Sequence, residues 1–147
     1  MLIIGHRGAR GEAPENTLSG FNYLKSLGVF ALELDIHVSK DQQLVVIHDY
    51  SLERTTTGVG LVKEQHAADL AALNACFYFK DWPYHDGVPL LKDVLALVND
   101  FVHLQLEVKV KDAEDYAIVG RELAKLWPPF THRIVTTSFN TSYLAYM

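Results

Sequence analysis

Apolar runs of strand length alternate with helical patterns along most of the chain, and this alternation constrains the fold more than any other feature. The strand-like runs lie at 2–5, 29–38, 44–47, 102–110 and 133–137, and the helical patterns lie at 18–27, 92–99 and 113–126. Strands that alternate with helices form βαβ units, in which neighbouring strands are parallel and the crossovers are right-handed. The sequence therefore predicts an α/β fold with about four strand–helix units.

The stretch 51–87 interrupts this alternation. It opens on a threonine-rich turn and contains a short helical pattern at 67–73. It closes on five aromatic residues, Phe77, Tyr78, Phe79, Trp82 and Tyr84. We interpret it as a small inserted lobe, whose aromatic side chains either pack as its core or contact part of a ligand. Since 147 residues is the length of one domain, we treat 1–147 as a single domain that contains this lobe.

Composition argues against several classes of partner. The chain has 13 Lys and Arg against 18 Asp and Glu, a formal charge of −5, and no block of basic residues. We therefore expect no nucleic-acid binding and no electrostatic attraction to an anionic membrane. Cys76 is the one cysteine, which excludes a disulfide within the chain and fits a reducing compartment. No apolar run reaches the roughly 18 residues that a membrane span needs, so we expect a soluble, cytoplasmic protein without membrane insertion.

Polar residues follow three of the strand-like runs. His6 and Arg7 follow the first, His48 and Asp49 follow the third, and Ser138 follows the last. Ligands of α/β proteins bind at the carboxyl ends of the strands, where two histidines can act as general acid and base and an arginine matches a phosphate. Phosphoryl chemistry fits better than acyl transfer, because no Ser or Cys nucleophile is visibly paired with a base. The other histidines have no comparable neighbours and are assigned surface or core positions: His37, His66, His85, His103 and His132.

Three carboxylates lie inside strand-like runs. Glu33 and Asp35 are two residues apart and leave the same face of a strand, and Glu107 shares a face with Lys109 in a later strand. Buried carboxylates need a cation, and an all-oxygen set suits Mg²⁺ or Ca²⁺. The residues alone leave a second interpretation open, in which Glu33 or Glu107 forms an ion pair with Lys109 or Arg7.

An ordered series of short motifs runs from residue 4 to about residue 139. In chain order they are His6-Arg7-Gly8, Pro14-Glu15-Asn16-Thr17, Glu33-Leu34-Asp35, His48-Asp49, the stretch 52–58 with Arg54-Thr55-Thr56, Val88-Pro89-Leu90-Leu91, Glu107-Val108-Lys109 and Thr137-Ser138-Phe139. Each motif is weak alone, but their order and spacing resemble those of the glycerophosphodiester phosphodiesterase family.

The resemblance implies a (β/α)8 TIM barrel with a small insertion after the second strand. It also implies an enzyme that hydrolyses glycerophosphodiesters, its small-molecule substrates, to an alcohol and sn-glycerol 3-phosphate with a divalent cation, Mg²⁺ or Ca²⁺. Matched position by position, it assigns the metal to Glu33, Asp35 and Glu107, acid–base catalysis to His6 and His48, and the substrate phosphate to Arg7 and Lys109. Asn16 would order the first loop or support the site, and Ser138 would either lie near the site or cap a helix.

The length departs from the family. A (β/α)8 barrel takes about 250 residues, so 147 residues predict its N-terminal half, with open strand edges and an exposed interior face. A missing C-terminal half or a second copy in a homo-oligomer would then complete the barrel. Three functions stay open: the phosphodiesterase itself, a catalytically silent half-barrel that binds a metal and a phosphate ligand or assembles with a partner, and a related phospholipase-type phosphodiesterase.

Overall fold

The computed structural model describes residues 1–130 and 132–147. Strands and helices alternate along these residues, and the α/β class predicted from the sequence is confirmed. The elements are β1 (Gly5–His6), α1 (Leu18–Ser26), β2 (Ala31–Val38), β3 (Leu44–Val46), α2 (Ala67–Ala72), α3 (Leu91–Leu97), β4 (His103–Val108), α4 (Ala113–Leu126), β5 (Ile134–Thr137) and α5 (Thr141–Tyr146), with short 3-10 turns at Val62–Glu64 and Pro128–Phe130.

Side-chain caps set two of the helix starts. The Thr17 hydroxyl accepts a hydrogen bond from the Gly20 N–H at the start of α1, and that helix ends before Gly28, whose φ of 75° only glycine adopts freely. The Asn140 side chain accepts from the Tyr143 N–H and caps the start of α5.

The sheet has five strands, of which four are parallel and lie in the order β1-β2-β4-β5, and β3 pairs with β2 outside this order. The register places Glu33 between His6 and Gln105, and it places Asp35 beside Glu107. Because the four strands are parallel, their carboxyl ends meet at one edge of the sheet, and the predicted site residues gather there.

Strand β3 differs from the prediction of parallel pairing. It runs antiparallel to β2, with Val46 opposite Ile36 and Leu44 opposite Val38. The physical reason is the connection, residues 39–43, which makes a tight turn with Gln42 at φ 59°, whereas a parallel crossover takes a dozen or more residues. Strands β1 and β3 therefore lie one after the other along the edge of β2 that faces away from β4.

The first strand also differs from the prediction. A strand was expected at residues 2–5, but β1 covers only Gly5–His6. Gly5 pairs with Leu32, so the side chains of Leu2 and Ile3 project beyond the start of β2 and are exposed. Within the described residues, the outer edges of β1 and β5 have no partner strand.

The buried side chains form two clusters. The larger lies between the sheet and α1, α3 and α4, and the smaller lies between β3 and the lobe. The smaller cluster is aliphatic, with Leu52, Val62 and Leu70 near its centre. The aromatic residues of 51–87 are therefore not the core of the lobe, which the sequence left as one alternative. They form an edge-to-face series near its surface that reaches α1 through a Trp82–Tyr23 contact.

Among the described residues, no helix combines the length and the apolar character needed to cross a lipid bilayer.

Candidate active site

Three carboxylates converge on one face of the paired strands β2 and β4. One oxygen each from Glu33, Asp35 and Glu107 lies within 4.8 Å of the other two. Glu33 and Asp35 are buried, and Glu107 is partly buried. The structure thus brings together the three residues that the sequence singled out as metal ligands.

Burial makes this cluster electrostatically costly. The pKa of Glu33 rises to about 7, first because the side chain is buried and then because Asp35 lies beside it. Within the described chain, Glu33 Oε1 is buried and accepts no hydrogen bond, and the buried Asp35 Oδ1 has the Lys109 ammonium 3.3 Å away as its ion-pair partner. Carboxylate oxygens that converge from three residues, one of them buried without a donor, are the ligands that a hard divalent cation takes. The residues therefore fit Mg²⁺ or Ca²⁺.

Two cationic side chains contact the cluster. The Lys109 ammonium pairs with Glu107 and lies 3.3 Å from Asp35 Oδ1, and Arg7 Nε lies 3.3 Å from Asp35 Oδ2. Burial would lower the pKa of Lys109, but its contacts with Glu107 and Asp35 outweigh burial and raise it. Of the ion pairs that the sequence left as an alternative, the Glu107–Lys109 pair is present, whereas the Arg7 side chain pairs with Asp35 and Glu33 Oε1 has no partner in the described structure.

The first loop, residues 7–17 between β1 and α1, bends back over the carboxylates through two strained residues. Arg7 and Asn16 have φ values of 54° and 55°, a left-handed conformation that is rare outside glycine and concentrates at functional sites. This conformation lets the Arg7 N–H donate to the carbonyl oxygen and to Oε2 of Glu33, at 2.9 and 3.0 Å. Asn16 Nδ2 donates to Asp35 Oδ2 at 3.0 Å. Asn16 therefore supports the site, as one of the two roles considered for it implied.

The two predicted acid–base histidines lie at this same edge. His6 is more than half exposed, with Nε2 3.8 Å from Glu33 Oε2. Its pKa is lowered, first by partial burial and then by the charges of Arg7 and Arg10. His48 Nδ1 lies 2.6 Å from Asp49 Oδ1.

Two further residues assigned from the sequence have structural roles. His37 is buried, as one of the two positions considered for it implied, and its Nε2 lies 3.0 Å from the carbonyl oxygen of His48. Burial lowers the pKa of His37 to about 4. Ser138 donates to the Val108 carbonyl oxygen at 2.7 Å and accepts from the Asn140 N–H at 3.1 Å. The cap of α5 is Asn140, and Ser138 lies near the site, where it borders the cavity beside Glu107.

Sequence reasoning missed two charged residues of the site. The Glu15 carboxylate accepts hydrogen bonds from Arg7 and Arg54, and Arg54 also donates to Asp49. Glu15 and Arg54 each lie in one of the short motifs named above. No local sequence pattern indicates that they pair, because they are 39 residues apart. Tyr78 of the lobe accepts from the Glu15 N–H at 2.8 Å and so ties the lobe to the first loop.

A cavity of about 430 Å³ opens beside the carboxylates, bordered by Glu107, Lys109 and Phe139. A smaller cavity of about 110 Å³ is also bordered by Tyr50. Lys111 Nζ lies 3.9 Å from the centre of that ring and borders both cavities. A ligand held at the carboxylates would therefore have space beside it.

Comparison with known proteins places this geometry in a family. The sequence model of the glycerophosphoryl diester phosphodiesterase family matches residues 6–147. The chain is 34% identical over 142 residues to the glycerophosphodiester phosphodiesterase of Caldanaerobacter subterraneus subsp. tengcongensis, covering 95% of this chain and 58% of the relative. It is 49% identical over 120 residues to the lysophospholipase D GDPD1 of Rattus norvegicus, covering 74% of this chain and 36% of the relative.

Solved structures agree with this match. A phosphodiesterase of Oleispira antarctica, solved with the product sn-glycerol-3-phosphate, superposes with a TM-score of 0.87 at 30% identity, covering 99% of this chain and 60% of that chain. The glycerophosphodiester phosphodiesterase of Agrobacterium tumefaciens superposes with a TM-score of 0.84 at 30% identity, covering 97% and 60%. The chain thus spans about 60% of the length of these structures, and its sheet corresponds to part of their TIM barrel. The chain belongs to the glycerophosphoryl diester phosphodiesterase family.

Proposed function

We propose that this chain carries the catalytic groups of a phosphodiesterase that hydrolyses glycerophosphodiesters to an alcohol and sn-glycerol 3-phosphate. The observation that carries the proposal is the cluster of Glu33, Asp35 and Glu107, in which Glu33 Oε1 is buried without a donor in the described structure and His6 lies beside Glu33. The names of the relatives and the product bound to the Oleispira antarctica enzyme support the substrate class.

In this proposal the three carboxylates hold a divalent cation, Mg²⁺ or Ca²⁺. Such a cation neutralises the carboxylates and polarises an oxygen of the substrate. Arg7 and Lys109 reach the same edge with fixed positive charges, and they bind the phosphate oxygens.

His6 and His48 divide the proton transfers. One accepts the proton of the glycerol 2-hydroxyl as its oxygen bonds to phosphorus, and the other donates a proton to the alcohol as its P–O bond breaks. Water then opens the resulting cyclic phosphodiester to give sn-glycerol 3-phosphate. The lowered pKa of His6 keeps its imidazole neutral near pH 7, so this side chain is able to accept a proton.

The test is release of sn-glycerol 3-phosphate from glycerophosphocholine by the purified chain, with and without added Mg²⁺ or Ca²⁺. We expect turnover that requires the cation. In His48→Ala we expect a loss of about 100-fold or more, the usual contribution of acid–base catalysis. His85→Ala, a change at an exposed histidine in the lobe, serves as the control and should leave turnover unchanged. Turnover without a cation would contradict the proposal, and binding of cation and product without turnover would favour a silent binding domain.

One relative's name points to a second substrate class. The rat relative is named a lysophospholipase D, so the same assay should include lysophosphatidylcholine. Faster release of choline from this lipid than from glycerophosphocholine would support the phospholipase-type alternative.

We also propose that the protein acts in the cytoplasm and that a second copy or further chain supplies the remaining barrel wall. The buried, unpaired Cys76 supports a reducing compartment. The open edges of β1 and β5 in the described structure support an added wall. Cell fractionation tests the location, and the mass in solution tests for a second copy.

A further inference from the structure

Arg54 joins two acidic residues through its whole guanidinium group. Its Nε and one terminal nitrogen donate to the two Asp49 oxygens at 2.6 and 2.9 Å. Its terminal nitrogens also donate to the two Glu15 oxygens at 3.0 and 2.7 Å. Two bidentate pairs on one guanidinium fix the orientation of both carboxylates, because the donors lie in one rigid plane.

This orientation determines which nitrogen of His48 carries the proton. His48 Nδ1 lies 2.6 Å from Asp49 Oδ1. The pKa of Asp49 is lowered to about 2, chiefly by its hydrogen bond with Arg54, so the carboxylate is ionised and only accepts hydrogen bonds. The shared proton must therefore belong to Nδ1, which leaves Nε2 of a neutral His48 with a free lone pair.

The same contacts continue to the carboxylate cluster. In order, the series of polar contacts is His48, Asp49, Arg54, Glu15, Arg7 and Asp35. It links the loop after β3, the lobe and the first loop to strand β2. Burial would raise the pKa of Glu15, but the bonds from Arg54 and the charge of Arg7 outweigh burial and lower it. Glu15 is therefore ionised, and it holds Arg54 from the side that is nearer to Arg7 and the carboxylate cluster.

We propose that Arg54 is a positioning residue, which holds Asp49 in the orientation that keeps the proton of His48 on Nδ1 and leaves Nε2 free for proton transfer. The proposal deepens the proposed function, since it gives His48 a defined state for acid–base work. The competing explanation is a purely structural ion pair that joins the lobe to the first loop.

The decisive measurement is the tautomer of His48 in the full chain labelled with ¹⁵N-histidine, observed by NMR at a pH where the ring is neutral. The signal is assigned by its loss in His48→Gln. We expect protonated Nδ1 in the wild type, a mixture of tautomers in Arg54→Gln, and the wild-type signal in Arg121→Gln. Arg121 is a matched control, because it also donates to a carboxylate, that of Glu122, and is about half exposed. This readout needs no turnover, so it stands even if the proposed function fails.

A second variant, Arg54→Lys, keeps the test decisive if Arg54→Gln does not fold. Arg54→Lys keeps the positive charge between the loops but lacks the planar fork, so we expect it to fold and also to show mixed tautomers. A folded Arg54→Gln or Arg54→Lys whose His48 keeps a single protonated Nδ1 would overturn the proposal and leave Arg54 a structural role.

Kinetics add a further readout where the chain turns over substrate. Loss of a residue that orients a functional group through a neighbour typically costs about 10- to 100-fold in activity. We expect a decrease of that size in kcat for Arg54→Gln with KM nearly unchanged, because Arg54 acts through Asp49 and not on the substrate. A change in KM alone would contradict the positioning role.

Discussion

Adding a divalent cation should stabilise the folded chain through Glu33, Asp35 and Glu107. At pH 8, above the pKa of about 7 for Glu33, the three carboxylates are balanced only by Arg7 and Lys109, so a net negative charge remains. A cation that binds the folded state alone contributes about 2.7 kcal/mol at 100 times its Kd. For a chain near 150 residues each kcal/mol raises Tm by about 2 to 4 °C. The expected rise is therefore about 5 to 11 °C.

The assay is thermal unfolding followed by circular dichroism at pH 8, with Mg²⁺ or Ca²⁺ titrated to saturation. Glu107→Gln keeps the shape of the side chain but removes one charged ligand, so its Tm should rise by less than half as much. Glu122→Gln is the matched control, since Glu122 lies on α4 and pairs with Arg121 and Lys125 away from the cluster. It should show the full rise.

Two results would refute this reasoning. The absence of any rise at saturating cation would mean that the three carboxylates do not bind it. An equal rise in Glu107→Gln and the wild type would mean that the cation binds elsewhere on the chain.

Other parts of the structure make separate predictions. Gly87→Ala would place a Cβ 1.9 Å from a carbonyl oxygen of α2 and should destabilise the chain by about 1 to 3 kcal/mol or more in urea unfolding, whereas Gly11→Ala meets no atom within 4 Å and should be nearly neutral. Tyr78→Phe removes the acceptor of the Glu15 N–H and should cost about 1 to 3 kcal/mol; an unchanged urea midpoint would show that water replaces the hydroxyl. The pKa of Asp49 is about 2 in the folded chain against 3.8 for the free side chain, so its stabilising contribution is complete above about pH 4 and is lost as the pH falls toward 2. Asp49→Asn should therefore weaken the acid dependence of the unfolding free energy.

The placements that the sequence predicted, and that the structure shows, follow local rules. Strand periodicity puts Glu33 and Asp35 on one face, and parallel pairing then puts Glu107 beside Asp35. The helix at 113–126 has the predicted bounds, because its amphipathic pattern is long and Pro128 follows its end.

The features that the sequence did not predict depend on contacts between distant segments. Strand β3 is apolar like the other strands, so its antiparallel direction follows only from the short turn before it. The bonds from Arg54 to Glu15 join segments 39 residues apart. The motif around Glu15 does not indicate that its partner is Arg54, and the motif around Arg54 does not indicate Glu15. The packing of the lobe against the first loop decides this pairing.

That packing gives the lobe a role in the site itself. Asp86 of the lobe accepts from the Ser19 N–H at the start of α1, and Trp82 donates to the Ser19 hydroxyl. Tyr78 holds the Glu15 N–H in the preceding loop. The same loop contains Asn16 in its left-handed conformation, which costs of order 1 to 3 kcal/mol unless the surroundings enforce it. The lobe helps to hold Asn16 in this conformation, because its contacts fix the backbone at Glu15 and at Ser19, on both sides of Asn16. The Asn16 side chain in turn donates to the buried carboxylate of Asp35. Damage to the lobe should therefore reach the carboxylate cluster through this loop, even where the central sheet stays intact.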